Sequence, residues 1–128
     1  MTRYEFSPIG YVRTEAKTVP RFYRISDVRG TLQIDDRFRE GLREIQAGDR
    51  IIVVFLFHQS PPFEDAYLRV TPPRRNEPRG VFSTRSPVRP NPIGISELEV
   101  LGVEEGSLQV KGLDMVDGSP ILDIKPVQ

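Results

Sequence analysis

The chain has no cysteine and a single histidine, His58. The lack of cysteine excludes a disulfide scaffold, a thiolate metal site and a cysteine nucleophile, and it fits a reducing compartment. One histidine leaves no histidine-based metal set. No apolar stretch approaches the ~20 residues of a membrane span, and the N-terminal MTRYEFSPIG lacks the apolar core of a signal peptide. The expected setting is the cytoplasm. There is no GxGxxG after a strand, no Walker loop and no Ser/His/Asp set behind an elbow motif. Those absences argue against hydride or phosphoryl transfer by the usual folds. Net charge is absent too, because 18 Lys and Arg balance 18 Asp and Glu.

What is present is unevenly placed. Between Arg69 and Arg89 stand Arg69, Arg74, Arg75, Arg79, Arg85 and Arg89 against one acid, Glu77. A basic stretch on an otherwise acidic chain suits a local anionic partner such as a nucleotide or RNA backbone, although a solvated arginine cluster gives the same count. Overlapping it is the run Arg79–Ser96, RGVFSTRSPVRPNPIGIS. Pro87, Pro90 and Pro92 fix backbone torsions and remove donors, while Gly80 and Gly94 permit close approach. The run is expected to be a stiff loop, neither helix nor central strand. It carries guanidinium forks and the Asn91 carboxamide, groups suited to anionic and planar polar ligands.

The 128 residues, 38% hydrophobic and 28% charged, fit one domain, 1–128. Short strands are expected at Pro8–Thr14, with Gly10 at a bulge or close contact, and at Gly30–Ile34. Ala16–Ile25 reads as a loop with Arg21, Phe22, Tyr23 and Arg24 exposed. One helix follows, capped by Asp35 or Asp36, with Phe38, Leu42 and Ile45 on one face and Gly48 beyond its end. The apolar run in Arg50–His58 reads as a strand buried on both faces. Tyr67–Thr71 and Ser96–Val103 follow, the latter with Leu98 and Val100 inward. Glu105-Gly106 makes a turn into Leu108 and Val110, and Asp117-Gly118 turns before Ile121, Leu122 and Ile124. About seven short strands and one short helix predict a mainly β fold, a small closed or nearly closed β-barrel.

The strand ending at His58-Gln59 delivers two hydrogen-bonding groups to its rim, where His58 is either a structural group or a functional one. Asp114 lies between Leu113 and Met115 at an otherwise apolar strand end. A carboxylate there needs donors, from a ligand's hydroxyls or ammonium group or from a structural arginine. Asp114, Asp117 and Asp123 lack ordered ligand spacing, so no metal is expected.

GVFSTRSPVRPNPIGIS, together with GLDMVDGSPILDIKP, FLFHQ and IGYVRT, closely resembles the blocks of the TsaA-like family, whose characterised members are TrmO-type tRNA methyltransferases. The likeness runs from Ile9 to Pro126. It implies an S-adenosylmethionine-binding β-barrel, a homodimer with the cofactor pocket near the subunit interface, and methylation of the exocyclic nitrogen of threonylcarbamoyladenosine beside the tRNA anticodon. Carried over by motif, His58 and Gln59 touch the cofactor, and Arg85 and Ile95 line the same pocket. Lys111, Gly112, Leu113 and Asp114 complete it. The loop after Val19-Pro20-Arg21 adds Phe22, Tyr23, Arg24 and Ile25, although the family's VPRQPG-like sequence is VPRFYR here. Arg85, Arg89 and Asn91 are the expected substrate contacts. His58 and Asp114 are the candidate bases, with water as the other proton acceptor, and Phe82 is a cation–π candidate or a core residue. The tRNA-modifying members continue past DIKP, where this chain reaches Gln128, so it is expected to hold the barrel alone. Two alternatives follow: methylation of another small or modified substrate, and cofactor binding without turnover.

Overall fold

The structure is a computed structural model describing residues 1–73 and 75–128. Arg74, part of the basic stretch, lies outside the described residues. The strands are β1 (Gly10–Arg13), β2 (Arg29–Ile34), β3 (Arg50–Leu56), β4 (Arg69–Val70), β5 (Arg79–Gly80), β6 (Ile93–Glu104), β7 (Ser107–Lys111) and β8 (Pro120–Pro126). Six of them close a barrel in the order β1-β2-β7-β6-β3-β8, with β1 pairing β8 to shut it and every neighbouring pair antiparallel. β4 and β5 make a separate two-stranded ribbon.

Alternation explains the barrel. Val12, Leu32, Val53, Leu98, Val100 and Leu108 are fully buried inside it, and their neighbours along each strand face outward, as period-two pleating requires. β6 is long enough to pair β3 over its first half and β7 over its second. A register shift between Val100 and Gly102 marks the change, the kind of irregularity that bends a strand around a barrel. The expected turn at Glu105-Gly106 joins β6 to β7, with Gly106 at φ 72°.

Gly10 makes the close contact anticipated for it. A Cβ there would stand 2.2 Å from the Gln33 carbonyl oxygen and 2.9 Å from Ile34 Cα. The residue pairs with Ile34 of β2 and Ile121 of β8, at the closing seam.

Two details differ from expectation. In β3 only Ile51, Val53 and Phe55 are buried, while Ile52, Val54 and Leu56 are half-buried. A barrel strand has one interior face, and its alternate residues lie on the outside. The expected helix is a 3-10 segment, Asp36–Leu42, capped by Asp35 through the Arg37 N–H at 3.0 Å. Of its predicted apolar face Leu42 alone is buried, so little packing rewards a longer, regular helix. Among the described residues no helix is long and apolar enough to cross a membrane.

Candidate functional site

The run before β6 is stiff by construction. Thr84 Oγ1 donates to the Val81 carbonyl at 2.8 Å and accepts from the Ser86 N–H at 3.3 Å. Ser86 Oγ accepts from the Val88 N–H at 3.2 Å. Arg89 Nη1 donates to the carbonyls of Thr84 at 3.0 Å and Ser86 at 3.1 Å. The loop is tied down at both ends of its proline stretch, by Ser60 Oγ to the Pro87 carbonyl at 3.0 Å and by the Phe57 N–H to the Pro92 carbonyl at 2.7 Å. Nearly every polar group on this list stabilises the loop itself, as residues that mimic backbone turns do. Arg85 is the exception. Its guanidinium lies 5.7 Å from the Phe22 ring centre, a cation–π contact, and Nη1 stands 3.5 Å from the Ile95 carbonyl.

Asp114 arrives from the other side. The segment after β7 is pinned to the strand entrance of β2, since the N–H groups of Gly112 and Leu113 both donate to the Val28 carbonyl, at 2.9 and 3.1 Å. Ser26 Oγ donates to the Leu113 carbonyl. Leu113 itself points into the core, and Asp114 after it lines the cleft. The Asp114 carboxylate accepts a hydrogen bond from the buried Ser96 hydroxyl of β6. Burial pushes the carboxyl above the ordinary aspartate range, while Ser96, the backbone groups of Asp114 and Tyr23, and the Arg85 charge pull it back.

Arg85 and Asp114 open onto one cleft of about 1120 Å³. Phe55, Phe57, Gly94 and Ile95 line it on the barrel side, Val19–Phe22 on another, and Val70–Pro73, Arg75, Arg79, Ser83–Pro87 and Arg89 on a third. Gly94 is required there: a Cβ would meet Phe55 Cζ at 2.6 Å and Phe57 Cζ at 2.7 Å. Its absence leaves room for those two rings to pack edge to face at 4.9 Å. Volume does not single the cleft out, since clefts of about 960 and 970 Å³ lie elsewhere on the surface. Its distinction is a partly buried carboxylate, a guanidinium acting on it and apolar walls, the mixed lining of a small-molecule site.

Of the residues singled out by sequence, Phe22, Arg85, Arg89, Ile95 and Asp114 line this cleft. Tyr23, Arg24 and Ile25 form the adjacent 3-10 turn; Arg24 lies 5.6 Å from the Phe22 ring, and Ile25 is 69% exposed. Lys111 ends β7, and Gly112 and Leu113 support Asp114 from behind. His58 and Gln59 are exposed outside the lining, with His58 Nε2 beside Gly118. Asn91 is also exposed outside it. Phe82, a candidate for the cleft or the core, is in neither and stands 75% exposed. Arg89 lines the cleft, but its guanidinium is engaged in bracing its own loop. Two residues not singled out by role, Arg75 and Arg79, line the cleft. Their signal was the basic stretch, which marked the segment without saying which arginines turn inward. Among the described residues there is no group of three or more His, Cys, Asp or Glu that could hold a metal.

Comparison with known proteins identifies the family and agrees with the fold. Residues 11–128 match the family model of the tRNA-methyltransferase O N-terminal domain. An Archaeoglobus fulgidus protein named S-adenosyl-L-methionine-binding protein is 45% identical over 121 residues, covering 92% of this chain and 85% of its own. The crystal structure of TrmO from Pseudomonas aeruginosa superposes with a TM-score of 0.75 at 34% identity, over 99% of this chain and 57% of that one. A second TrmO crystal structure gives a TM-score of 0.76 at 34% identity, over 100% and 57%. The chain thus spans a little over half the length of the TrmO chains. With the barrel, the order of its motifs and a match across 11–128, the chain belongs to the tRNA-methyltransferase O N-terminal domain family.

Proposed function

We propose that the chain binds S-adenosylmethionine in the Arg85–Asp114 cleft and transfers its methyl group to the exocyclic nitrogen of threonylcarbamoyladenosine in tRNA. The observation that carries this reading is the convergence of Arg85 and Asp114 on one cleft from segments far apart in sequence. The residues present fit the cofactor. Asp114 suits its ammonium or ribose hydroxyls, Arg85 suits its carboxylate, and Ile95 with Phe22 offers apolar surface to the adenine. When bound, S-adenosylmethionine supplies an electrophilic methyl group on a sulfonium.

The chain's own part is orientation. A braced loop and a barrel rim hold their groups in place beforehand, so alignment of the reactants costs little at the moment of reaction. Arg75 and Arg79 also line the cleft, and in this reading they take the carboxylate or phosphate of the acceptor nucleotide. Of the two candidate bases, Asp114 faces the cleft and His58 does not. Asp114 is engaged by the cofactor in this reading, so the proton of the acceptor nitrogen leaves to water. A homodimer belongs to the reading through the family resemblance, and a cytoplasmic setting is the expectation drawn from the sequence.

The test is transfer of labelled methyl to tRNA with and without the threonylcarbamoyl group. Transfer to the modified tRNA alone is the expected result. Replacing Arg75 and Arg79 together by Ala should lower that transfer on the order of tenfold while leaving cofactor affinity unchanged, the loss of a charged hydrogen-bond partner. Transfer to another acceptor favours a different substrate, and binding with no transfer to any cellular fraction favours a non-catalytic barrel.

A further inference from the structure

We propose that Ser96 is a positioning residue, whose buried hydroxyl holds the Asp114 carboxylate in the pose the cleft offers its ligand. Ser96 occupies an inward position of β6, in series with Gly94, Leu98 and Val100. A hydroxyl at an interior position of an apolar barrel is costly unless it has a partner. The partner here is 18 residues away in sequence, on the segment that follows β7.

The carboxylate could swing, because Asp114 lies in the irregular segment between β7 and β8 rather than in a strand. Ser96 occupies Oδ1 and so fixes the torsion of the side chain. Among the described residues Ser96 is the one side chain that donates to this carboxylate. The hydroxyl also supports the charged form that a cationic or hydroxylic ligand needs. Burial opposes that form; Ser96, the backbones of Asp114 and Tyr23, and Arg85 favour it. Arg85 is the charged group acting on Asp114 among the described residues, and it comes from the proline loop rather than from β6.

This inference rests on the reading that the cleft binds S-adenosylmethionine, and the experiment separates the two. Wild type, Ser96→Ala and Ser96→Cys are titrated with the cofactor by calorimetry across pH, and Asp114 is titrated in each cofactor-free protein by the NMR shift of its carboxyl carbon. Cysteine fills the position with a slightly larger, weakly donating group, so it guards against a cavity defect in the alanine variant. Both variants should bind roughly threefold to tenfold more weakly, the worth of one hydrogen bond. The Asp114 midpoint should move up in both, since the lost bond favoured the carboxylate, and cofactor affinity should fall off at a correspondingly higher pH. Unchanged affinity, or weaker affinity with an unmoved midpoint, overturns the positioning role. No binding by the wild type overturns the reading of the cleft and this inference with it.

Discussion

Asp114→Asn should weaken S-adenosylmethionine binding by about tenfold to a hundredfold, the range for a charge-assisted hydrogen bond lost from a partly buried site. Arg85→Ala should lose a similar amount. The asparagine variant is informative because it keeps the shape and removes the charge. Its stability should move the other way. The folded state raises the Asp114 pKa, chiefly by burial, so folding favours the protonated acid. The stability this group lends is full below the unfolded pKa and declines as pH rises through the folded one. At neutral pH the charged form therefore works against the fold, and a neutral amide should leave the melting temperature level or higher. Weaker binding with undiminished stability marks a group retained for its ligand. A lower melting temperature alongside unchanged binding would assign Asp114 to the fold instead.

The largest structural effect is expected from Gly10→Ala. The new methyl would lie 2.2 Å from the Gln33 carbonyl oxygen, and Ile34 Cα is 2.9 Å away. Both obstacles are backbone, so no side chain can rotate aside. Relief requires parting β1 from β2, and β1 holds the barrel closed between β2 and β8. The cost should reach about 3 kcal/mol, the upper end of overpacking penalties, against a total stability of roughly 5–15 kcal/mol. A fall in melting temperature of roughly 10 °C follows for a domain of this size. An unchanged melting curve would mean that the seam is looser than its geometry indicates.

Local patterns were legible in the sequence where partners are close in the chain. The alternation in β6 and β7 and the Glu105-Gly106 turn between them were readable because hairpin pairing is local. Gly10 announced its contact because a glycine in an otherwise good strand has few other uses. The order of strands around the barrel was not readable, since pairings such as β1 with β8 join residues about a chain-length apart. The β4–β5 ribbon was half hidden: Arg69–Val70 fell within an expected strand, but Arg79–Gly80 did not, because two residues give no period to detect. The segment Asp36–Leu42 carried a helical pattern that packing did not reward.

The site divides in the same way. Arg85, Ile95 and Asp114 were found through motifs whose residue order survives without knowledge of the fold, and the loop signature supplied Phe22. His58 and Gln59 lie just past β3, yet the chain turns out to the surface after Phe57 and leaves them outside the cleft. Arg75 and Arg79 could be counted in the basic stretch, but which arginines face inward depends on how the segment folds over the barrel. Ser96 had a signal that went unused. It is the polar residue in the inward series Gly94, Ser96, Leu98, Val100, and such a residue asks for a partner.

The central claim is that one cleft, bounded by the proline-braced loop and the Asp114 segment, takes S-adenosylmethionine. The most direct measurement is a crystal structure of the chain soaked with the cofactor. The account predicts cofactor density against Asp114, Arg85 and Ile95, with the methyl group facing the part of the cleft lined by Arg75 and Arg79. Cofactor bound at either of the other surface clefts, or in this one without contact to Asp114, would contradict it.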